Sequence, residues 1–158
     1  MKHFATILGL LATAASAHMR MSNPPALMGL ENPFGTAPED IIRAPISAAQ
    51  FPCQGYHQLF VSKDPKAKPV AKWETGSQQK FQVMGLAGAY QATHGGGSCL
   101  VSFSTDNGET FRVVKSFVGD CPALTNDDNN GHGTVVKDGF PFNVPKDLPT
   151  GPILFAWT

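Results

Sequence analysis

The apolar positions of this chain recur every second residue in several short runs, the period of strands with one face buried. Residues 79–84 alternate cleanly, with Phe81 and Val83 on one side and Lys80 and Gln82 on the other. Two β-rich runs follow, Leu100-Val101-Ser102-Phe103-Ser104 and residues 111–117, separated by Asp106-Asn107-Gly108. Asn-Gly between such runs predicts a hairpin, because both central residues of a type I′ turn need positive φ. Phe140-Pro141-Phe142-Asn143-Val144 and residues 153–157 supply two more strands, parted by Pro145 and Pro149-Thr150-Gly151. Leu59-Phe60-Val61 reads as another short strand. Residues 19–50 are rich in Pro, Gly, Asn and Ala, which predicts a long surface loop containing one short helical turn. Beyond residue 17 no stretch keeps a helical apolar period over three turns. The expectation is an all-β sandwich with long surface loops, in which Trp73 and Trp157 pack into the core.

The first 17 residues stand apart from this pattern. Lys2 and His3 precede an apolar run over residues 7–14 and a small-x-small site, Ala15-Ser16-Ala17. These are the parts of a secretory signal peptide. Cleavage after Ala17 would leave 141 residues as one domain, 18–158, with His18 at its N-terminus. Such a terminus offers two nitrogen ligands on one residue, the free α-amine and the imidazole. A second histidine, His94, precedes Gly95-Gly96-Gly97-Ser98-Cys99, where missing Cβ atoms permit close approach and a cysteine ties the segment down. Taken singly, each histidine is unremarkable. Together they make a nitrogen-only donor set that suits copper(II) in a tetragonal plane.

Composition narrows the partners. The chain has 12 basic and 12 acidic residues, and processing removes only Lys2, giving a net charge of −1. That balance argues against nucleic acid or an anionic membrane and fits an uncharged substrate. No later apolar run approaches a membrane span. The product is expected to be extracellular and monomeric. In an oxidising compartment its three cysteines should pair where they can. Cys99 and Cys121 bracket the hairpin, and a bridge there would contribute on the order of 3 kcal/mol. Cys53 is left unpaired.

Other polar clusters carry less chemistry. Residues 126–131 resemble the start of a calcium loop, but Lys137 falls where a bidentate Glu is needed. His57 and His132 read as surface histidines. Tyr56 and Tyr90 suit either stacking on sugar rings or packing at the core edge. No Gly-x-Ser-x-Gly elbow, phosphate loop or CxxC motif occurs, which weakens hydrolase, nucleotide and thiol-redox readings.

The series His18-Met19-Arg20-Met21, Asn23-Pro24-Pro25, Phe51-Pro52-Cys53 and His94-Gly95-Gly96-Gly97-Ser98-Cys99 resembles the fungal, chitin-active lytic polysaccharide monooxygenases. Gly119-Asp120-Cys121-Pro122 and the closing Leu154-Phe155-Ala156-Trp157-Thr158 extend the resemblance over most of the chain. It implies an immunoglobulin/fibronectin-III-like β-sandwich with one copper ion held by His18 and His94. Ala92 is implied as the small neighbour of an axial copper position. It implies an insoluble polysaccharide substrate, chitin by this branch, and an electron donor. It also implies residues after Thr158: an axial tyrosine, an acid or amide beside it, and a cysteine. With Cys53 unpaired and an apolar strand running to the last residue, the sequence is read as C-terminally truncated. Two rival functions share these features in part: a secreted copper-binding protein without catalysis, and a metal-free carbohydrate-binding sandwich.

Overall fold

A computed structural model describes residues 19–29, 31–35, 46–85, 97–119, 121 and 139–158. Among the described residues, six strands form two antiparallel sheets. β1 (Met19–Asn23), β2 (Gln78–Gly85) and β5 (Phe140–Asn143) make one, in the order β1-β2-β5. β3 (Cys99–Ser104), β4 (Arg112–Phe117) and β6 (Leu154–Trp157) make the other, in the order β4-β3-β6. The expected strands over residues 79–84, the hairpin and the last two strands are all present.

The two sheets meet through aromatic rings. Phe81 is fully buried and stacks on Phe140 of its own sheet at 5.0 Å, while meeting Phe117 of the opposite sheet edge-on at 5.7 Å. One layer along, Phe142 stacks on Phe155 across the gap at 5.1 Å and lies 6.3 Å from Phe103. Trp73 closes that layer, edge-on to Phe103, Phe142 and Phe155. Val83 and Val101 fill the space between with no exposed surface. Edge-to-face pairs such as these add to area burial because positive ring edges meet negative faces. Trp157 is partly buried against the same core.

The hairpin keeps its Asn-Gly signal in a wider turn. Asn107 and Gly108 both have positive φ, 63° and 90°. Pairing nevertheless stops at Phe103 with Arg112, because Ser104, Asp106 and Thr110 divert hydrogen bonds into the turn itself. The Gly108 amide donates to Ser104 Oγ at 2.8 Å, and the Thr110 amide to Asp106 Oδ1 at 2.9 Å. Ser104 and Thr110 hydroxyls both donate to the Asp106 carboxylate.

Two expectations are corrected. Residues 19–23, read as the start of a long loop, are β1: Met21 alternates with its polar neighbours and is buried against Val83, its partner on β2. Leu59-Phe60-Val61, read as a strand, belongs to a helix, α1 (His57–Val61). Its end is fixed by Ser62 N–H donating to the Gln58 carbonyl and Lys63 N–H to that of Phe60. Over five residues the β preference of Phe and Val is too weak to outweigh such local bonds. The expected helical turn is a short 3-10 helix, Ala48–Gln50. Among the described residues no helix is long and apolar enough to cross a membrane.

Candidate metal centre

The strand registers bring several chain ends to one end of the sandwich. Met19, the first residue of β1, pairs with Gly85, the last of β2. In the other sheet Cys99, the first residue of β3, pairs with Phe117, the last of β4. Residues Leu100 and Thr158 exchange two backbone hydrogen bonds at the same level, at 2.9 and 3.0 Å. The Phe81–Phe117 contact lies toward this end in both sheets, whereas the Phe142–Phe155 layer lies toward the other. The strand ends that lead to residue 18, into residues 86–96 and out of them therefore face the same way.

His18, Ala92 and His94 lie outside the described residues, as do Tyr90, His132 and residues 126–131. What the structure describes is their anchorage. Downstream of His94, the Cys121 amide donates to the Gly97 carbonyl at 3.2 Å, and the Gly119 amide to Ser98 Oγ at 3.2 Å. A Cβ on Gly97 would sit 2.9 Å from the Cys121 carbonyl oxygen, so the last glycine of the triplet is needed for this approach. Cys99 and Cys121 are disulfide-bonded, as their placement around the hairpin predicts.

Downstream of His18, β1 is an edge strand among the described residues, with two side-chain tethers. Met21 is buried in the core. Arg20 forms a bidentate ion pair with Glu31, its Nε lying 3.1 and 3.0 Å from the two carboxylate oxygens while Nη2 donates to Oε1. The guanidinium holds the Glu31 carboxyl below its ordinary range, against the opposing effect of partial burial. Asn32, 5% exposed, stitches the Glu31 loop together. Its amide donates to the Ala26 carbonyl at 3.1 Å, and its Oδ1 accepts from the Phe34 and Gly35 amides. The Arg20–Glu31 pair was not legible in the sequence: partners 11 residues apart leave no periodic signal.

The remaining candidates sit elsewhere. His57 packs against the β3–β4 turn, where a Cβ on Gly108 would meet its ring at 3.0 Å and Leu154 at 3.3 Å. That is the opposite end of the sandwich, so α1 and its neighbour Tyr56 do not join the strand ends described above. Cys53 is unpaired, half-buried and has a left-handed backbone, φ 56°. Burial pushes its thiol pKa up, which disfavours the reactive thiolate. A cavity of about 120 Å³ lies at the same far end, floored by Phe103, Val114 and Leu148 and rimmed by the exposed Arg112–Asp147 ion pair. Among the described residues no three His, Cys, Asp or Glu side chains are grouped to hold a metal ion.

No family model matches the chain. It is similar to curated proteins over nearly its whole length. It is 34% identical over 159 residues, 96% of the chain, to AA11 family lytic polysaccharide monooxygenase A of Aspergillus fumigatus. It is 34% identical over 93% of the chain to AA11 family lytic polysaccharide monooxygenase B of the same species. To an AA11 family lytic polysaccharide monooxygenase of Aspergillus oryzae it is 30% identical over 98% of the chain. The chain spans 61% of the first of these relatives and 32% and 33% of the others.

Proposed function

We propose, from the premise that this chain is a homologue of the AA11 family lytic polysaccharide monooxygenases, that it is the copper-binding sandwich of a secreted enzyme of that kind. Its substrate would be chitin or a related insoluble polysaccharide. The observation that carries the reading is the extent of the likeness: 30–34% identity over 93–98% of the chain. The convergence of strand ends at one end of the sandwich supports it, and an immunoglobulin-like connectivity belongs to the same reading.

In this proposal residues 1–17 are the signal peptide and residues 18–158 the domain. His18, by amine and imidazole, and His94 would hold one copper ion, with Ala92 as a small residue beside it. The donor set fits: three uncharged nitrogens are what a tetragonal copper(II) site prefers. When bound, copper supplies the redox chemistry by which an oxygen co-substrate, with an electron donor, oxidises carbon beside a glycosidic bond. The chain's own work is to place the ligands. A free α-amine has a pKa near 8, so metal binding displaces a proton and weakens as pH falls. The Gly97–Cys121 approach and the disulfide hold the downstream arm, and β1 holds the upstream one. Near-neutral overall charge leaves an uncharged polymer free to dock.

The experiment is product analysis on chitin with the naturally processed protein, copper and a reductant. Oxidised oligosaccharides detected by mass spectrometry are the expected result. Copper binding without such products would instead identify a non-catalytic copper protein, and polysaccharide binding indifferent to chelators would identify a metal-free carbohydrate binder.

A further inference from the structure

We infer that the Arg20–Glu31 ion pair is a positioning device for the N-terminal metal ligand, an inference that rests on the function proposed above. Among the described residues β1 is a five-residue edge strand hydrogen-bonded to β2 alone, and its ladder begins at Met19 with Gly85. Terminal edge strands fray, because their last residues are held on one side only. Met21 is anchored in the core, but it lies three residues from the amine that must act as a ligand. Arg20 lies closer, and its grip has two points. Both Nε and Nη2 bond Glu31, with side-chain exposures of 16% for Arg20 and 28% for Glu31.

The partner is itself fixed. Asn32 closes the loop behind Glu31 through its three hydrogen bonds, and the Ala26 amide donates to the Met21 carbonyl at 3.4 Å, returning the loop to the strand. β1 is thus gripped from both sides, by the sheet and by this loop. A planar guanidinium on a carboxylate resists rotation, whereas a lysine offers only a point charge. An N-terminal chelate needs such restraint, since both its nitrogens belong to one residue and move with the strand that carries it. Partners that orient metal ligands without touching the metal commonly matter for affinity.

The test uses the full, naturally processed chain and three variants, Arg20→Gln, Arg20→Lys and the near-isosteric Glu31→Gln. Copper(II) affinity is measured by calorimetry and the site by electron paramagnetic resonance, at a temperature where circular dichroism shows every variant folded. Arg20→Gln and Glu31→Gln should each weaken copper binding by roughly tenfold, the lower range for outer partners of a metal ligand. Their spectra should broaden into more than one species. Arg20→Lys should recover most of the affinity with a single spectrum. Wild-type affinity and an unchanged spectrum in Glu31→Gln would overturn the inference while leaving the proposed function standing. Failure of the unaltered protein to bind copper would overturn that function, and the inference with it.

Discussion

The two ends of this sandwich are held in different ways. At the end of the β3–β4 turn the bonds are local: Ser104, Gly108 and Thr110 all converge on or around Asp106. His57 and Leu154 close over Gly108, and Trp73 seals the adjoining aromatic layer. At the other end the described strands lead out of the described residues. There the described backbone is held by long-range ties: Cys99 to Cys121, Gly97 to Cys121, Ser98 to Gly119 and Arg20 to Glu31. A turn can satisfy its own backbone, whereas strand ends that lead into long connections need partners distant in sequence. Among the described residues the aromatic packing lies in one end and the middle, and the strand ends that lead to residues 18 and 86–96 lie at the other. The two should therefore respond separately to substitution.

The largest break in stability should come from Phe103→Ala. Phe103 is 3% exposed and touches Trp73, Phe142 and Phe155, so truncation should cost about 3–5 kcal/mol in chemical denaturation. Copper affinity, measured where the variant is still folded, should stay at the wild-type value. Next comes the double substitution Cys99→Ser and Cys121→Ser. Opening a bridge across a sequence separation of 22 should cost about 3 kcal/mol. Unlike the Phe103 change, it should also weaken copper binding, because it frees the arm after His94. Equal copper affinity in both variants would erase the proposed division of labour.

The smallest effect belongs to Asp106. Hydrogen bonds from the Thr110 hydroxyl, the Thr110 amide and the Ser104 hydroxyl hold its carboxyl at about 2, below the ordinary 3.8. A carboxyl depressed on folding stabilises fully above its unfolded pKa, and that contribution is lost as pH falls through the folded value. The urea midpoint should thus fall more steeply for wild type than for Asp106→Asn as pH drops from roughly 4 to 2. Copper should be irrelevant to that slope. Parallel curves for the two proteins would remove Asp106 as a fold determinant.

How much of this was legible in the sequence depended on the range of each interaction. β2 and the hairpin were, because Phe81, Val83, Val101 and Phe103 sit at strand spacing and Asn107-Gly108 announces positive φ. β1 was missed because its alternation, Met19 and Met21, is only two apolar residues long before the Pro- and Gly-rich segment begins. α1 was misread because Phe and Val carry β preference into a segment whose helix is set by end bonds. The disulfide could be anticipated from how the cysteines bracket the hairpin. Arg20–Glu31 and Asn32 could not, since contacts between a strand and a folded loop are specified only by the finished fold. His18 was visible through chemistry rather than periodicity, as the residue that a signal-peptide cut would expose.

The proposed copper site depends on a free amine at residue 18 acting as a metal ligand. The direct measurement is copper(II) titration of two proteins, one beginning at His18 and one carrying a single glycine before it. Tight binding by the first and its loss in the second is the expected result. Equal affinity in the two would contradict an amine ligand and with it the proposed copper site.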